Sequence, residues 1–332
     1  KIITHILLSS LKVLRLGSSP EKVKMVDSTF SRLINNQLFT NLTWLRFIGF
    51  EFWMVGFTPF FIGYVVSAEK LYDFDLFYGF FIVAILTSST FVLNHIYDLE
   101  LDRHNPRKEF SLLVRGTMSL TQAWILFWFL QLSCIVLSFY FNIEFLYCIL
   151  GLTFISLIYN IPPFRFKTRP GLDLLSNGLS LGFLIPLAAW SINQPIFEFP
   201  QLYFFATICY LLALYCPTMA VDVEWDRKFG IETFATKVGA AKTMQLSWIF
   251  TILGVLTLLY SGFYEIFPWN QKLLLWTGWL LVLEIIVHYI YLPIYSRPSY
   301  YTVAKGSIIL ATFEALATLL FLIIFLDLLP IG

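Results

Sequence analysis

Two acidic clusters have the spacing of a cation site. Asn94, Asp98 and Asp102 recur every four residues in Asn94-His95-Ile96-Tyr97-Asp98-Leu99-Glu100-Leu101-Asp102. On a helix such residues share one slowly drifting face, about 6 Å apart per step. Asp222 and Asp226 repeat the interval in Asp222-Val223-Glu224-Trp225-Asp226. Both clusters stand where a long apolar run ends, and a carboxylate at the end of a membrane helix is costly unless paired or bound to a cation. Two such ladders facing one another would offer hard oxygen donors to Mg²⁺ and to the phosphates that Mg²⁺ carries.

Bases stand behind the acids. Arg103, Arg107 and Lys108 follow the first ladder, and Arg227 and Lys228 follow the second. Between them, Tyr159-Asn160-Ile161-Pro162-Pro163-Phe164-Arg165-Phe166-Lys167 supplies two more cations. A Mg²⁺–diphosphate demands this mixture, because the metal bridges acid and phosphate oxygens while Arg and Lys hold the remaining negative charge. Preplaced positive charge also makes diphosphate a better leaving group. Acids and bases at helix ends often only cap helices or pair across an interface. The joint pattern of two equally spaced ladders, each trailed by bases, favours a metal–phosphate site over a set of structural pairs.

The elements that carry these residues are membrane helices. The chain has 332 residues, 58% hydrophobic and only 13% charged, with mean hydropathy +0.75. A soluble domain has about 25% charged residues, so most of this surface faces lipid. Nine apolar spans are expected, near 45–67, 74–98, 119–140, 143–160, 173–192, 200–222, 241–262, 271–293 and 306–329, each able to cross ~30 Å of hydrocarbon. With a cytoplasmic N-terminus, all of the 22 Lys and Arg except Lys70 and Lys272 fall on the inner side. That asymmetry is the positive-inside signature, and it turns both ladders toward the cytoplasm.

The expected class is an all-α integral membrane bundle, with 1–44 as a cytoplasmic or membrane-surface segment and 45–330 as the transmembrane domain. Within 1–44, Ile3, Ile6, Leu7, Leu11 and Leu14 form one helical face beside Lys12 and Arg15, for a helix on the membrane surface or a disordered tail. Polar residues interrupt the apolar stretch there, unlike a signal peptide. Net charge +1 argues against a nucleic-acid partner. Cys134, Cys148, Cys209 and Cys216 lie inside apolar runs and are expected as buried free thiols.

On these motifs the chain resembles the UbiA superfamily of intramembrane prenyltransferases, over roughly residues 45–330. Asn94, Asp98 and Asp102 match the family's NDxxDxxxD pattern, and Asp222 and Asp226 its DxxxD pattern. Asp226 to Thr233 is similar to the DRxxGxxT continuation, and Tyr159 to Lys167 to the YSxPPxRxK segment. His95 departs from the family's Asp, and Asn160 from its Ser. His95 should lie about 100° around the helix from Asn94, off the metal-facing stripe. It is expected as an interface histidine satisfied by a neighbour, leaving a weaker or altered site.

The resemblance implies a nine-helix bundle and a Mg²⁺-dependent reaction. Asn94, Asp98, Asp102, Asp222 and Asp226 would hold Mg²⁺, and Asn94, Arg103, Arg107, Lys108, Arg165, Lys167 and Arg227 would bind the diphosphate of an isoprenyl donor. Ionisation gives an allylic cation, captured by a lipophilic acceptor within the membrane lipid, with Tyr159 facing the cation or positioning the acceptor. Gly171 to Gly178 and Gly230 to Thr236 look most like the carotenoid-elongase branch, which also shares its pattern with chlorin, quinone-precursor and ether-lipid enzymes. A rival of another class is a transporter or lipid carrier, and a third reading is a catalytically silent relative. A transporter should keep ionisable groups near the bilayer midplane, where only Glu51, His288 and Glu314 are notable.

Overall fold

The computed structural model describes residues 43–68, 73–105, 108 and 111–263. A short helix α1 (Thr43–Phe47) and a 3-10 turn (Phe50–Phe52) precede α2 (Trp53–Ala68). The helix α3 (Phe74–Tyr97) is continued by the single turn α4 (Leu99–Asp102), and α5 (Leu120–Ser138) and α6 (Ile143–Asn160) follow. Then α7 (Leu172–Leu179), a π-helical turn (Ser180–Leu184) and α8 (Ile185–Ser191) make one apolar stretch. The remaining helices are α9 (Gln201–Lys228), α10 (Phe234–Val238) and α11 (Ala240–Phe263).

Side-chain caps start several of these helices. Asp73 and Asn142 accept the backbone N–H of Leu76 and Phe145, and Ser119 with Gln122, and Thr233 with Thr236, form reciprocal capping boxes. Each satisfies donors that the first turn leaves open. Lipid offers the backbone no hydrogen bonds, so a helix, which pairs its own N–H and C=O groups, is the form these apolar segments take.

The expectation of nine spans is corrected. Among the described residues, six helical stretches are long and apolar enough to cross a membrane: Phe74–Tyr97, Leu120–Ser138, Ile143–Asn160, Leu172–Ser191, Gln201–Ala220 and Ala240–Ser261. The expected first span is broken at Gly49, whose φ of 68° is left-handed. A Cβ there would stand 2.4 Å from the Phe91 ring. What remains is α2, 16 residues long, about 24 Å at 1.5 Å per residue and short of ~30 Å. The spans expected at 271–293 and 306–329 lie outside the described residues, as do His288, Glu314 and residues 1–42.

Three pairings build the bundle: α9 on α11, α3 on α5, and α2 on α8. Small residues allow close approach, as is usual between membrane helices. A Cβ on Gly63 would lie 2.5 Å from the Pro186 carbonyl oxygen, and one on Gly182 would lie 2.6 Å from the Ile208 Cα. Neutral polar groups tie the interior. Ser89 Oγ donates to Gln131 Oε1 at 2.9 Å, Gln131 Nε2 donates to Thr153 Oγ1 at 2.7 Å, and the Thr90 and Ser156 hydroxyls meet at 2.8 Å. The four cysteines are buried and free. Ile125, Phe129, Leu132 and Val136 are exposed along one face of α5, where they meet lipid.

The contact at Gly63 is with backbone, which cannot rotate away. Gly63→Ala should therefore destabilise the protein by about 1–3 kcal/mol through overpacking. Thermal unfolding in detergent would read this as a lowered midpoint, with Gly116→Ala, where nothing lies within 4 Å, costing only the strain of its left-handed backbone.

Candidate active site

The first ladder begins where α3 ends. Asp98 is the C-cap of that helix, with φ −97° and its backbone N–H donating to the Asn94 carbonyl. Its side chain takes a cation on each oxygen: Arg165 Nη2 stands 2.7 Å from Oδ1, and Lys167 Nζ stands 2.7 Å from Oδ2. Lys167 Nζ also donates to Asn160 Oδ1 at 3.1 Å. The loop after α6 presents both bases by a sharp reversal that holds Arg165 at φ 39°, ψ 56°. A left-handed backbone on a non-glycine residue costs about 1–2 kcal/mol, which the ion pairs offset.

Electrostatically the group is unbalanced. Burial pushes the Asp98 carboxyl up, but the Lys167 ammonium and the Arg165 guanidinium outweigh it and hold it below the usual carboxylate value. Burial pulls the Lys167 ammonium below its ordinary value, opposed by Asp98 and reinforced by Arg165 and Lys108. The carboxylate meets two cations, while each cation meets one anion and at least one other cation. The centre therefore carries surplus positive charge. Arg165 Nε is also buried with no hydrogen-bond partner among the described residues.

Asp102 turns elsewhere. It is buried, and its Oδ2 lies 3.4 Å from His95 Nδ1, while the His95 ring stacks on Phe47 at 4.7 Å. His95 is thus the buried histidine satisfied by a neighbour that its position suggested, but the neighbour is the ladder's own last carboxylate, so the ring does not stand apart from the stripe at its far end. The ladder drifts about 40° per step, so Asp102 stands about 80° from Asn94 and within about 20° of His95. Asn94 is half-buried on the last turn of α3. Arg103 pairs with exposed Glu100 at 2.8 Å. Arg107 lies outside the described residues.

The second ladder closes α9. Asp222 and Asp226 are half-buried on its last turns. Arg227 donates twice to the Thr236 carbonyl, at 3.2 and 2.9 Å, and so holds α10 against the end of α9. Lys228 lies over the Trp225 and Phe229 rings. The His104 ring, two residues after Asp102, is 6.4 Å from that of Phe229, three after Asp226. The trailing ends of the two ladders thus meet in space.

Three residues that the sequence did not single out as site residues join these loops. Asp173, fully buried, accepts the N–H of Gly171 and Leu174 on Oδ1 and of Phe234 on Oδ2, at 2.7–2.9 Å. It sews the loop after α6 to the loop after α9. Tyr159, on the last turn of α6, meets the Tyr215 hydroxyl at 3.3 Å, and Asn177 Nδ2 donates to the Tyr159 hydroxyl at 3.5 Å. The signal for Tyr215 was its position seven residues before Asp222, two turns along the same face.

The donor set fits Mg²⁺ in kind, since the ladders offer carboxylate and amide oxygens to a hard cation. Among the described residues, no three Asp, Glu, His or Cys side chains are grouped to hold an ion as they stand, with Asp98 turned onto Arg165 and Lys167 and Asp102 onto His95.

The chain has relatives of known name. It is 33% identical over 180 residues to the probable homogentisate phytyltransferase 2, chloroplastic, of Oryza sativa subsp. japonica, over 50% of this chain and 45% of that protein. It is 28% identical over 233 residues to the lycopene elongase/hydratase of Haloarcula japonica, over 64% of this chain and 76% of that protein. The chain thus spans less than half the length of the plant relative. Its fold is that of a UbiA homolog from Archaeoglobus fulgidus solved bound to DMAPP and Mg²⁺, with TM-score 0.67 and 21% identity over 85% of this chain and 99% of that one. A UbiA homolog from Aeropyrum pernix K1 matches with TM-score 0.63 and 20% identity, over 80% of this chain and 98% of its own. A profile of the UbiA prenyltransferase family covers residues 56–309, and the chain belongs to that family.

Proposed function

We propose that the protein transfers a prenyl group from an allylic isoprenyl diphosphate to a lipophilic, electron-rich acceptor inside the membrane, with Mg²⁺ as cofactor. The observation that carries this reading is the Asp98 centre, where two cations converge on one carboxylate at the mouth of an apolar bundle. Arg165 and Lys167 would bind diphosphate oxygens, helped by Lys108, Arg103, Arg107 and Arg227, and the unpartnered Arg165 Nε is a further donor aimed at that charge. Asn94, Asp98, Asp102, Asp222 and Asp226 would hold Mg²⁺, which when bound neutralises diphosphate and makes it a better leaving group. The C1–O bond of the donor then breaks with its electron pair on diphosphate. Tyr159, below the charged loops, turns a ring toward the resulting cation. A π pair of the acceptor forms the new bond to C1, and the displaced proton passes to diphosphate or water.

An electron-rich π acceptor agrees with both named relatives, one titled for homogentisate and one for lycopene, and we favour a polyene. An acceptor bearing its own phosphate would need a second set of cations. Of the bases outside the donor-binding set, Arg169 donates to the Pro163 carbonyl and Lys228 lies over the Trp225 and Phe229 rings. The orientation we propose places the site at the cytoplasmic face. Every Lys and Arg between residues 73 and 263 lies on the side of the ladders, and the opposite loops, 139–142 and 192–200, carry none. The membrane-spanning domain we assign runs to the region of residue 330, preceded by the segment 1–44.

In lipid nanodiscs with a polyene and an aromatic acceptor supplied, diphosphate release from dimethylallyl, geranyl, farnesyl and geranylgeranyl diphosphates should require Mg²⁺. Asp98→Asn and Asp222→Asn should each lower it by at least about 100-fold. Folded wild-type protein that releases nothing from any donor would sink the assignment and favour a carrier or a silent relative. A second outcome follows from the charge balance. Lys167→Met removes one cation from Asp98, so the protein without donor should bind Mn²⁺ severalfold more tightly, by electron paramagnetic resonance, while losing affinity for the donor. Weaker Mn²⁺ binding would show that Asp98 does not face the ion.

A further inference from the structure

Three helices converge on one oxygen beneath the charged loops. The Tyr159 hydroxyl, from the last turn of α6, lies 3.3 Å from the Tyr215 hydroxyl on α9 and 3.5 Å from Asn177 Nδ2 on α7. The Asn177 amide is itself fixed, donating to the Asp173 carbonyl at 2.9 Å. Asp173 is in turn anchored by three backbone N–H groups. Tyr215 lies seven residues before Asp222, about 10 Å deeper along the same face of α9. Tyr159 lies eight residues before Lys167, on the helix whose last residue, Asn160, holds that lysine. The hydroxyl junction thus sits one layer below the acids of both ladders.

We propose that Tyr215 and Asn177 are positioning residues that fix the Tyr159 ring against C1 of the bound donor. This rests on the prenyl-transfer reading and deepens it. A phenol held only by its Cα–Cβ and Cβ–Cγ bonds can tilt, and the attraction between a ring and a cation depends on presenting the face. Holding the ring at its hydroxyl tip from two other helices removes that tilt. A ring held in place would also shield the allylic cation from water. If water bonds to C1 and releases a proton, the product is a prenyl alcohol instead of the prenylated acceptor. The junction should therefore control both the rate and the partition between transfer and hydrolysis.

Tyr215→Phe keeps the ring and removes the oxygen that meets Tyr159. It should lower kcat by about 10- to 100-fold with donor KM little changed, and raise the share of prenyl alcohol. Asn177→Ala, a second route to the same junction, should shift both readouts in the same direction, so the test survives if one variant folds poorly. Because Tyr215 acts through Tyr159, Tyr159→Phe/Tyr215→Phe should be no worse than Tyr159→Phe alone. A tie that only joins helices would lower the melting temperature and leave the kcat-to-KM split and the product partition unmoved, which would overturn the proposal. Losses that multiply in the double variant would overturn it as well. Wild-type protein that turns over donor while Tyr215→Phe equals it removes this inference alone. Wild-type protein inert toward every donor removes the prenyl-transfer reading beneath it.

Discussion

Charge at the end of a lipid-embedded helix has to be matched by charge, and the region around Asp98 is organised by that requirement. The carboxylate closes α3, and the loop after α6 must return across the bundle to bring Arg165 and Lys167 to it. That return forces Arg165 into a left-handed backbone and sets Asn160 beneath Lys167. A single carboxylate facing two half-buried cations is overcompensated. In water such an excess would be screened, but where dielectric is low it is a standing attraction for an anion. On the prenyl-transfer reading proposed above, the two cations would serve the stability of the loop and the recognition of a polyanionic head group by the same atoms.

Polarity in the rest of the bundle is handled differently. Within the apolar interior the described polar groups are mostly neutral and paired, as in the Ser89–Gln131–Thr153 chain and the Thr90–Ser156 contact. Hydrogen bonds of this kind tie α3, α5 and α6 without placing a fixed charge among the spans. A positively charged intermediate generated below Asp98 would find ring faces and hydroxyls there and, among the described residues, no carboxylate between the two ends of the spans. Keeping full charge at the ends of the spans and neutral polarity in the middle suits a cation made from an anionic precursor. It suits an ion pathway poorly, since that needs ionisable groups in sequence across the membrane.

The ladders and the bases of the loop after α6 were legible because charge is rare in such a chain and its spacing carries helical periodicity. The convergence of Arg165 and Lys167 on Asp98 follows from placing three loops at one end of a bundle. The span count was less legible. Hydropathy reads Gly49 as compatible with an apolar helix, whereas its left-handed backbone, pressed against Phe91, ends one. His95 finds the neighbour its position called for, but that neighbour is a ladder carboxylate, because four-residue steps drift toward His95 by Asp102. Tyr215 and Asn177 were missed for another reason. Each is a neutral residue in an apolar helix, and the partner that gives it meaning is 56 or 18 positions away in sequence.

Asp173 ties the loop after α6 to the loop after α9 using only main-chain donors from Gly171, Leu174 and Phe234. A knot of that kind asks nothing of the side chains at those three positions. These two loops, with the Asp98 end of α3 that Arg165 and Lys167 hold, can therefore move as one unit while the apolar helices below vary in length and bulk. On the proposed function, chimeras that keep both loops with Asp173 and the Asp98 end of α3, and exchange the membrane interior, would inherit the recognition of the head from one parent and the gauge of the tail from the other. Diversification of a lipid-modifying fold along such a seam needs no coordinated change at the charged end.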